Sequence, residues 1–385
     1  MRILKKMVMG LLISCLLGTG AGAWAGLNSV EPPQSVDRKS RIGYLEGGEF
    51  PDYQVILLTT VKGLIELGWI EPLELPDKYE PNHQSMWEWL ADNIRSDYLE
   101  FVRDAYYSSG FQADKRDQTR KELIDRLNSE NDVDLILAMG TWAGLDLANN
   151  MHSTPTVVGS TSDPVGSGIV KSPEDSGFDH LHAKVEPDRY LRQVRLFHDI
   201  IGFRSMGLVF EDSAEGRTFA AVEDAEHVSR ERGFELKTCF ARNNDVTLEQ
   251  ASSEALECYR KLAPQVDALY ITMHRGENLG NLPKLLEPLF KHEVATFAMP
   301  GSEFVRHGAL LSIAHAGFSY VGLFHAQTVA RILNGATPRS LEQRWVAPPK
   351  IAINLKSSEM LGFNPPFDVL AAADDIFEDI SHVPE

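Results

Sequence analysis

The amino-acid sequence predicts an α/β protein whose two Rossmann-like lobes, each with a parallel sheet, face one another across a ligand cleft. Short apolar runs alternate with segments of helical periodicity along most of the chain, a pattern typical of parallel strands joined by right-handed crossovers. The alternation forms two successive series of about five strands each, with a break near residues 180–187. A chain of 385 residues is long enough for two such lobes, each with its own core.

The stretch 134–170 carries the clearest signal. An apolar run at 135–139 ends in Gly140-Thr141, and a second run at 156–158 ends in the small polar residues 159–163. Apolar runs of this length, bounded by turn residues and separated by a helical pattern, indicate buried parallel strands. Ligands of open α/β sheets bind beyond the carboxyl ends of the strands. These two strand ends therefore predict one wall of a site for a small polar molecule.

The same reasoning assigns the remaining elements. The predicted strands are 41–45, 71–75, 134–139, 155–158, 180–185, 205–210, 235–240, 266–272, 294–298, 308–313 and one within 344–355. The predicted helices are 53–67, 115–127, 141–150, 187–200, 214–232, 247–262, 279–291, 317–334 and 366–379. The chain is expected to cross between lobes near 180–187, 313–317 and 335–345. This assigns 41–182 plus 316–335 to lobe 1 and 183–315 plus 336–385 to lobe 2.

The first 25 residues have the pattern of a secretory signal peptide. Basic residues precede an apolar run at 7–17, and residues 23–25 form a cleavage site of the A-x-A type. We therefore expect a periplasmic protein, cleavage after Ala25 and a flexible leader at 26–40. The residues that end at Cys15 also fit a lipoprotein box loosely, so lipidation of Cys15 is the alternative. No other stretch reaches the roughly 20 apolar residues that a membrane span needs.

The segment 76–113 is rich in aromatic residues at nearly helical spacing. It contains Trp87, Trp89, Tyr98, Phe101, Tyr106, Tyr107 and Phe111. This spacing predicts an additional helical hairpin that packs its aromatic side chains on lobe 1. The alternative is a lid or a partner surface over the cleft.

Charge and cysteine content narrow the classes of function. The formal charge of −18, without a Lys/Arg-rich stripe, argues against nucleic acid as a partner. Cys239 lies on a predicted strand and Cys258 on the next predicted helix. We expect two buried, unpaired thiols. A disulfide between them is the alternative, since an exported protein can form one. His180 and His182 share one face of a strand, and since no third ligand lies nearby we expect no metal.

Four pieces of the sequence, in their order and spacing, resemble one protein family. They are DVDLILAMGTWAGLDLANN with TPTVVGSTSDPVGSGIVKSPE, then VDALYITMHRGE, then GALLSIAHAGFSYVGLFHAQTVARILNGATP, and finally IAINLKSSEMLGF. The family is that of ABC-transporter substrate-binding proteins with the type I periplasmic-binding fold, some of which bind tryptophan or other aromatic amino acids. The resemblance covers most of residues 41–365. The SDPVGSGIV segment is its most specific part, since the family typically has TDPVGAGLV there.

The resemblance implies capture of a small-molecule ligand between two lobes that close by hinge motion, followed by docking on an ABC permease in the inner membrane. It also implies which loops contact the ligand. The corresponding residues here are Glu46, Gly47, Gly140, Thr141, Trp142, Ser160, Thr161, Ser162, Asp163, Met273, His274, Arg275, Gly301, Ser302, Glu303, Phe318 and Tyr320.

The chain departs from the family at two of these loops. It has Thr272-Met273-His274-Arg275 where many relatives have P-T-D-N, and it has P-G-S-E at 300–303 where relatives have D-E-G. An acidic position that faces the ligand has thereby become His or Arg. These departures, and an aromatic insertion that is not typical of the family, argue against transferring aromatic amino-acid specificity to this chain.

The residue types at these positions suit a zwitterion such as an amino acid. Backbone N–H groups at Gly140-Thr141, at the start of a helix, favour an anion such as a carboxylate. Arg275 can hold a carboxylate with its planar fork, and Glu46 and Glu303 are candidates for an ammonium group.

Several of these residues also have a purely structural interpretation. Thr141 is equally suited to cap its helix, and Asp163 before a proline is suited to form a turn. Arg275 is equally compatible with a solvated surface position. Phe318 and Tyr320 are candidates either for stacking on an apolar part of the ligand or for packing at the hinge.

The sequence contains no G-x-S-x-G, H-E-x-x-H, G-x-x-x-x-G-K-[ST] or C-x-x-C motif. We therefore expect a binding protein and not an enzyme. The expected function is capture of a small polar or zwitterionic ligand by the extracytoplasmic substrate-binding component of an ABC importer, as a monomer and without a cofactor. The alternative is a periplasmic sensor that presents its bound state to a signalling membrane protein.

Overall fold

A computed structural model describes residues 29–76, 82–315, 318–345 and 349–381. The predicted signal peptide and Cys15 lie outside these residues. None of the described helices is both long enough and apolar enough to cross a membrane.

The described elements alternate as the sequence predicts. The strands are β1 Ser40–Glu46, β2 Leu99–Ser108, β3 Leu135–Met139, β4 Thr156–Gly159, β5 Leu181–Ala183, β6 Ser205–Phe210, β7 Glu235–Phe240, β8 Ala268–Ile271, β9 Ala295–Ala298, β10 Leu311–His315, β11 Pro349–Asn354 and β12 Asp375–Phe377. The helices are α1 Pro51–Glu66, α2 His83–Asn93, α3 Ala113–Ser129, α4 Gly140–Leu147, α5 Arg189–Ile201, α6 Ala214–Phe219, α7 Val222–Arg232, α8 Leu248–Leu262, α9 Leu282–Lys291, α10 Ser302–Arg306, α11 Phe318–Leu333, α12 Leu355–Met360 and α13 Phe367–Ala371.

The strands form two sheets, which makes the predicted two-lobed α/β architecture correct. The first has the order β2-β1-β3-β4-β5 and is parallel throughout. The second has the order β12-β11-β10-β9-β8-β6-β7, with one antiparallel pair, β10 with β11. The exact residue bounds of the two lobes stay a prediction.

The first sheet brings its strand ends to one level. Glu46 at the end of β1 is in register with Met139 at the end of β3, and Met139 is in register with Gly159 at the end of β4. Every residue of β3 and β4 is buried, as expected for strands covered by helices on both faces. The loops after these three strands therefore leave the sheet side by side.

The prediction of a helical hairpin at 76–113 is wrong. In the described part of this segment, residues 76 and 82–113, α2 is a helix, whereas β2 is a strand that pairs in parallel with β1 at the edge of the first sheet. The aromatic residues fill the core between these elements, with Trp87 against Phe101 at 5.0 Å and Tyr106 stacked on Tyr44 at 5.4 Å between ring centroids. The strand predicted at 71–75 is also wrong, because β2 takes the place beside β1.

Three predictions in the second lobe need correction. The helix predicted at 214–232 is two helices, since Ala221 has a left-handed backbone with φ of +50°. The helix predicted at 366–379 contains α13 and then the edge strand β12. Cys239 on β7 and Cys258 on α8 form a disulfide, with Cα atoms 5.5 Å apart, so the expectation of unpaired thiols is wrong. The helix packs back on its own preceding strand and so brings the two sulfur atoms together.

After β10 the chain returns to the first lobe. Helix α11 lies along α1, and two glycines permit the close approach. A Cβ atom at Gly63 would lie 2.7 Å from the Cβ of Ala326, and one at Gly322 would lie 2.5 Å from the Cβ of Thr59. Further along, the backbones of Val185 and Arg344 form an isolated parallel bridge. The segments around Val185 and Arg344 thus run side by side.

Candidate ligand site

A cavity of about 40 Å³ lies between the two lobes at the strand ends. Its volume has room for about three water molecules, so the lobes are in close contact around it. The described residues that line it are Phe50, Tyr53, Phe111, Thr141, Ser160, Ser162, Phe219, Asn243, Met273 and Arg275. Half of them are aromatic or thioether side chains, and Arg275 is the one charged residue among them.

Gly140 shapes the wall that the first lobe contributes. Its φ is +89°, and a Cβ atom there would lie 1.9 Å from the hydroxyl oxygen of Tyr53. The absence of a side chain lets Tyr53 of α1 rest against the first turn of α4. Thr141, in that turn, lines the cavity, and the backbone N–H groups of a helix's first turn have no partner within the helix. Thr141 makes no capping bond, because Met139 is the N-cap residue of α4.

Arg275 is held in place by Asn243 of the second lobe. The side-chain oxygen of Asn243 accepts from the backbone N–H of Arg275 at 2.8 Å, and its carbonyl accepts from Nη1 at 2.7 Å. The half-buried guanidinium makes no ion pair with any residue in the described part of the chain. Burial lowers the pKa of Arg275. The site therefore offers a preorganised cation without a carboxylate partner.

Phe111 joins the two lobes through a strained backbone. Its φ of +56° is rare for an aromatic residue and costs on the order of 1–3 kcal/mol. Its N–H donates to the carbonyl of Gly47 at 2.7 Å, and its carbonyl accepts from the N–H of Asp245 in the second lobe at 3.2 Å. The guanidinium carbon of Arg275 lies 4.8 Å from the centre of the Phe111 ring. The strained residue thus orients the cation of the opposite lobe.

A second set of contacts between the lobes centres on Trp142. Its indole Nε1 donates to Glu215 of the second lobe at 3.0 Å, and Arg116 donates to the same carboxylate at 3.0 Å. Arg116 also pairs with Asp146 at 2.9 Å and lies 4.5 Å from the centre of the indole ring. These contacts link the start of α4, which borders the cavity, to α6 of the opposite lobe.

The structure places six of the residues predicted for the site at or against the cavity. Five of them line it, namely Thr141, Ser160, Ser162, Met273 and Arg275, and Gly140 forms its edge beside Tyr53. Ser160 has a positive φ of +53°, which turns the chain sharply after β4.

Gly47 and Trp142 lie behind the residues that line the cavity. A Cβ atom at Gly47 would lie 2.9 Å from the Cβ of Trp142, so a side chain there would push the two loops apart. Trp142 is buried and serves the contact between the lobes described above.

Glu46 lies behind the cavity in a buried network. Its carboxylate accepts from the hydroxyl groups of Tyr44, Tyr106 and Ser108 at 2.9, 2.8 and 3.2 Å, and it pairs with Nδ1 of His83 at 2.7 Å. Burial, together with the charge of Glu46, raises the pKa of Tyr44 and Tyr106. With four partners in the protein, Glu46 anchors β2 and α2 to β1.

Thr161, Asp163 and His274 have structural roles in the described chain. The hydroxyl of Thr161 donates to the carbonyl of Gly159 at 3.5 Å. Asp163 accepts from the N–H groups of Val165 and Gly166 at 3.0 and 2.8 Å, as expected for a turn-forming aspartate.

His274 is buried, and burial lowers its pKa. Its Nδ1 accepts from the N–H of Gly276 at 3.0 Å, which assigns the proton to Nε2, 3.1 Å from the carbonyl of Ala241. Both ring nitrogens are therefore used within the loop.

The remaining predicted residues do not line the described cavity. Ser302 and Glu303 begin α10, and the carboxylate of Glu303 lies 3.6 Å from Arg306 and 3.5 Å from His307. Phe318 begins α11, but its side chain is outside the described atoms. Tyr320 is exposed. Their contact with a ligand stays a prediction.

Five of the residues that line the cavity were not predicted from the sequence. Phe50 and Tyr53 follow β1, Asn243 follows β7, Phe219 ends α6 and Phe111 follows β2. The strand-end rule applies to the loops after β1 and β7 and was a usable signal for three of them. The position of Phe111 at the site could not be predicted from the sequence, because the segment that forms β2 was assigned to a helical hairpin.

A metal site finds no support in the described residues, where no group of three or more His, Cys, Asp or Glu side chains is arranged to hold an ion. His180 and His182 instead lie 3.2 and 3.0 Å from the backbone carbonyls of Leu147 and Glu342.

Two α/β lobes that meet around a small cavity at their strand ends define a two-lobed ligand-binding protein. The family model described as ABC transporter substrate binding protein matches residues 103–377, and this chain belongs to that family. Substrate-binding proteins of ABC transporters act outside the cytoplasm. No protein with a curated description matches the chain.

Solved structures support the type I periplasmic-binding fold. The ABC domain from Streptococcus pneumonia, in complex with L-Trp, is similar with a TM-score of 0.67 and 18% identity, over 88% of this chain and 100% of that one. A conserved domain protein from Vibrio cholerae gives a TM-score of 0.66 and 19% identity over the same shares. A substrate-binding protein with adhesive properties from Clostridium difficile, in its ligand-free, open form, gives 0.55 and 18% identity, over 89% of this chain and 99% of that one.

Proposed function

We propose that this chain captures a small carboxylate-bearing ligand, an amino acid or a related acid, and delivers it to an ABC permease in the inner membrane. The observation that carries the proposal is Arg275, a half-buried cation without a carboxylate partner among the described residues, at an aromatic cavity between two lobes. Buried cations are normally paired, so an unpaired one at a cleft favours an anionic ligand.

The carboxylate would be held from both lobes. Arg275 offers the N–H groups that Asn243 and Val246 do not occupy, in a geometry suited to two parallel bonds to a carboxylate. Thr141, in the first turn of α4, and Ser160 line the same cavity from the other lobe and could donate to the carboxylate. Because both lobes would contact the same carboxylate, ligand binding would stabilise the closed form.

The apolar part of the ligand would contact Phe50, Tyr53, Phe219 and Met273. Aromatic faces and a flexible thioether adapt to a planar or branched apolar group. This composition is what supports an amino acid with an apolar side chain, or an acid of similar shape, over a sugar.

The ammonium group of an amino acid finds weaker support than the carboxylate. Glu46 is engaged by four partners, and Glu303 lies beside Arg306 and His307, away from the described lining. Hydroxyl groups and the side chain of Asn243 remain as polar neighbours for an ammonium group. We therefore propose that the carboxylate, and not the ammonium group, determines which ligands bind.

The contacts between the lobes support capture by hinge closure. The cavity of about 40 Å³ is lined by residues of both lobes and is far smaller than a typical ligand site, so we expect the lobes to separate when a ligand enters. The predicted signal peptide and the family's extracytoplasmic role support a periplasmic location, and we propose that the protein acts there as a monomer.

Calorimetric titration tests the proposal. A panel of apolar L-amino acids and matching organic acids is titrated into the wild type, and the tightest ligand is then titrated into Arg275→Met. We expect a roughly tenfold to hundredfold loss of affinity, as for a charge-assisted hydrogen bond. Arg230→Met, an exposed arginine on α7, is the matched control. The proposal is contradicted if Arg275→Met binds the ligand as tightly as Arg230→Met does, or if the protein binds only neutral sugars.

A further inference from the structure

A second, larger cavity adjoins the first. Its volume is about 460 Å³, whereas the inner cavity has about 40 Å³. Small-molecule sites typically measure roughly 300–1,000 Å³, so the outer cavity is in this range and the inner one is far below it. The two cavities share Phe111 and Arg275 in their linings.

Phe111 forms the wall between the two cavities. The strained backbone places its ring against Gly47 and Gly48, where a Cβ atom would lie 3.2 and 2.4 Å from ring atoms of Phe111. The ring also meets Trp142 edge-on, with 5.9 Å between the ring centroids. Three neighbours thus fix the wall, which leaves Arg275 at the junction of the two cavities.

The outer cavity is polar, and its charged lining residues are Glu49, Lys115 and Arg275. Glu49 accepts from the backbone N–H of His83 at 3.0 Å. Lys115 and Arg275 form no ion pair within the described ranges, and the side-chain amide of Gln112 makes no hydrogen bond there. Lys115 and the remaining guanidinium N–H groups of Arg275 are therefore available as donors, which suit an acceptor-rich or anionic part of a ligand.

We infer that the ligand spans both cavities, with its carboxylate at Arg275 and a polar, acceptor-bearing extension in the outer cavity at Gln112 and Lys115. The inner cavity takes the apolar side chain. The chemical class is an apolar amino acid linked through its nitrogen to a further polar unit, as in a dipeptide with an acidic first residue. This inference rests on the proposed role of Arg275 as the carboxylate partner.

Matched pairs of probes test the inference by calorimetry. L-phenylalanine and L-leucine are compared with the dipeptides L-glutamyl-L-phenylalanine and L-glutamyl-L-leucine. We expect each dipeptide to bind at least about tenfold more tightly than its free amino acid. Lys115→Ala should weaken dipeptide binding roughly threefold to tenfold. The matched control is Lys121→Ala, an exposed lysine on the same helix that pairs with Asp125, and it should leave dipeptide binding at the wild-type value.

The outcomes separate this inference from the proposed function. If the dipeptides bind no more tightly than the amino acids, or if Lys115→Ala and Lys121→Ala behave alike, the outer cavity is not a subsite, while the role of Arg275 stands. If neither kind of probe binds, both proposals fail together.

Discussion

The indole Nε1 of Trp142 in the first lobe donates to the carboxylate of Glu215 in the second lobe at 3.0 Å. The same carboxylate accepts from Arg116 at 3.0 Å. Trp142 directly follows Thr141, which lines the cavity, so this contact joins the lobes close to the proposed ligand.

The substitution Glu215→Gln should weaken ligand binding by favouring the open form. It keeps an acceptor for Trp142 but removes the charge that Arg116 faces. We expect a loss of about 1 kcal/mol from the closed form, or roughly a fivefold lower affinity, with most of the effect on the dissociation rate. Stopped-flow fluorescence measures the rate. The control is Glu223→Gln on α7, which pairs with Arg217, and a control that raises the dissociation rate equally would contradict a specific role for Glu215.

The substitution Gly140→Ala should reduce both stability and ligand binding. The new Cβ atom would lie 1.9 Å from the hydroxyl oxygen of Tyr53, and the alanine would have to adopt the backbone φ of +89° that Gly140 has. Gly168→Ala is a matched control, because its φ is +79° and no atom lies within 4 Å of the added Cβ.

Denaturant unfolding and calorimetry distinguish these two glycine variants. The control should lose about 1 kcal/mol from backbone strain alone. Gly140→Ala should lose at least about 2 kcal/mol and should bind ligand poorly, because Tyr53 must move from the cavity wall. Equal losses in the free energy of unfolding would show that the clash with Tyr53 does not affect stability.

Buried Glu277 should make stability depend on pH. Burial raises its pKa from 4.5 to about 7, although it accepts from the N–H and hydroxyl of Thr272. Below pH 4.5 the carboxyl is protonated in both the folded and unfolded states, and between pH 4.5 and 7 the folded state binds the extra proton. The free energy of unfolding therefore falls as pH rises through this window, by at most about 1.4 kcal/mol per pH unit.

The substitution Glu277→Gln should remove this dependence. Its stability relative to the wild type should rise from pH 4.5 to pH 7 and then stay constant, as measured by denaturant unfolding at a series of pH values. Glu257→Gln, at an exposed position on α8, is the matched control. A parallel pH profile for Glu277→Gln and the wild type would contradict the account.

Reduction of the disulfide should destabilise the second lobe. Cys239 and Cys258 are separated by 19 residues, and a closed loop of this size stabilises the folded state by about 3 kcal/mol through the unfolded chain. Denaturant unfolding with and without a thiol reductant should show this loss in the wild type. The double variant Cys239→Ala/Cys258→Ala should not respond to the reductant, and a wild type that also fails to respond would contradict the prediction.

The order of strands and helices in both lobes was predictable because buried parallel strands are short apolar runs bounded by turn residues. That pattern correctly located β1, β3 and β4 and the loops that follow them. It failed at β2, an edge strand exposed on one side, whose aromatic residues face the core at a spacing that also fits a helix. Register between strands, and not local pattern, identifies such a strand.

The candidate site was predictable only in part. Thr141 and Ser160 follow the ends of β3 and β4 and were found by that rule, whereas Arg275 was found through the family resemblance. The engagement of Glu46 was not predictable, because its partners His83 and Tyr106 come from other elements that fold against it. The left-handed backbone of Phe111, which sets the wall between the cavities, also has no local sequence signal, since most such positions are glycine.

The role proposed for Arg275 is tested most directly by a crystal structure of the protein with the tightest ligand from the calorimetric panel. We expect electron density for the ligand between the lobes, with carboxylate oxygens roughly 2.7–2.9 Å from the guanidinium nitrogens of Arg275. A ligand bound elsewhere, or bound between the lobes with its carboxylate away from Arg275, would contradict this role.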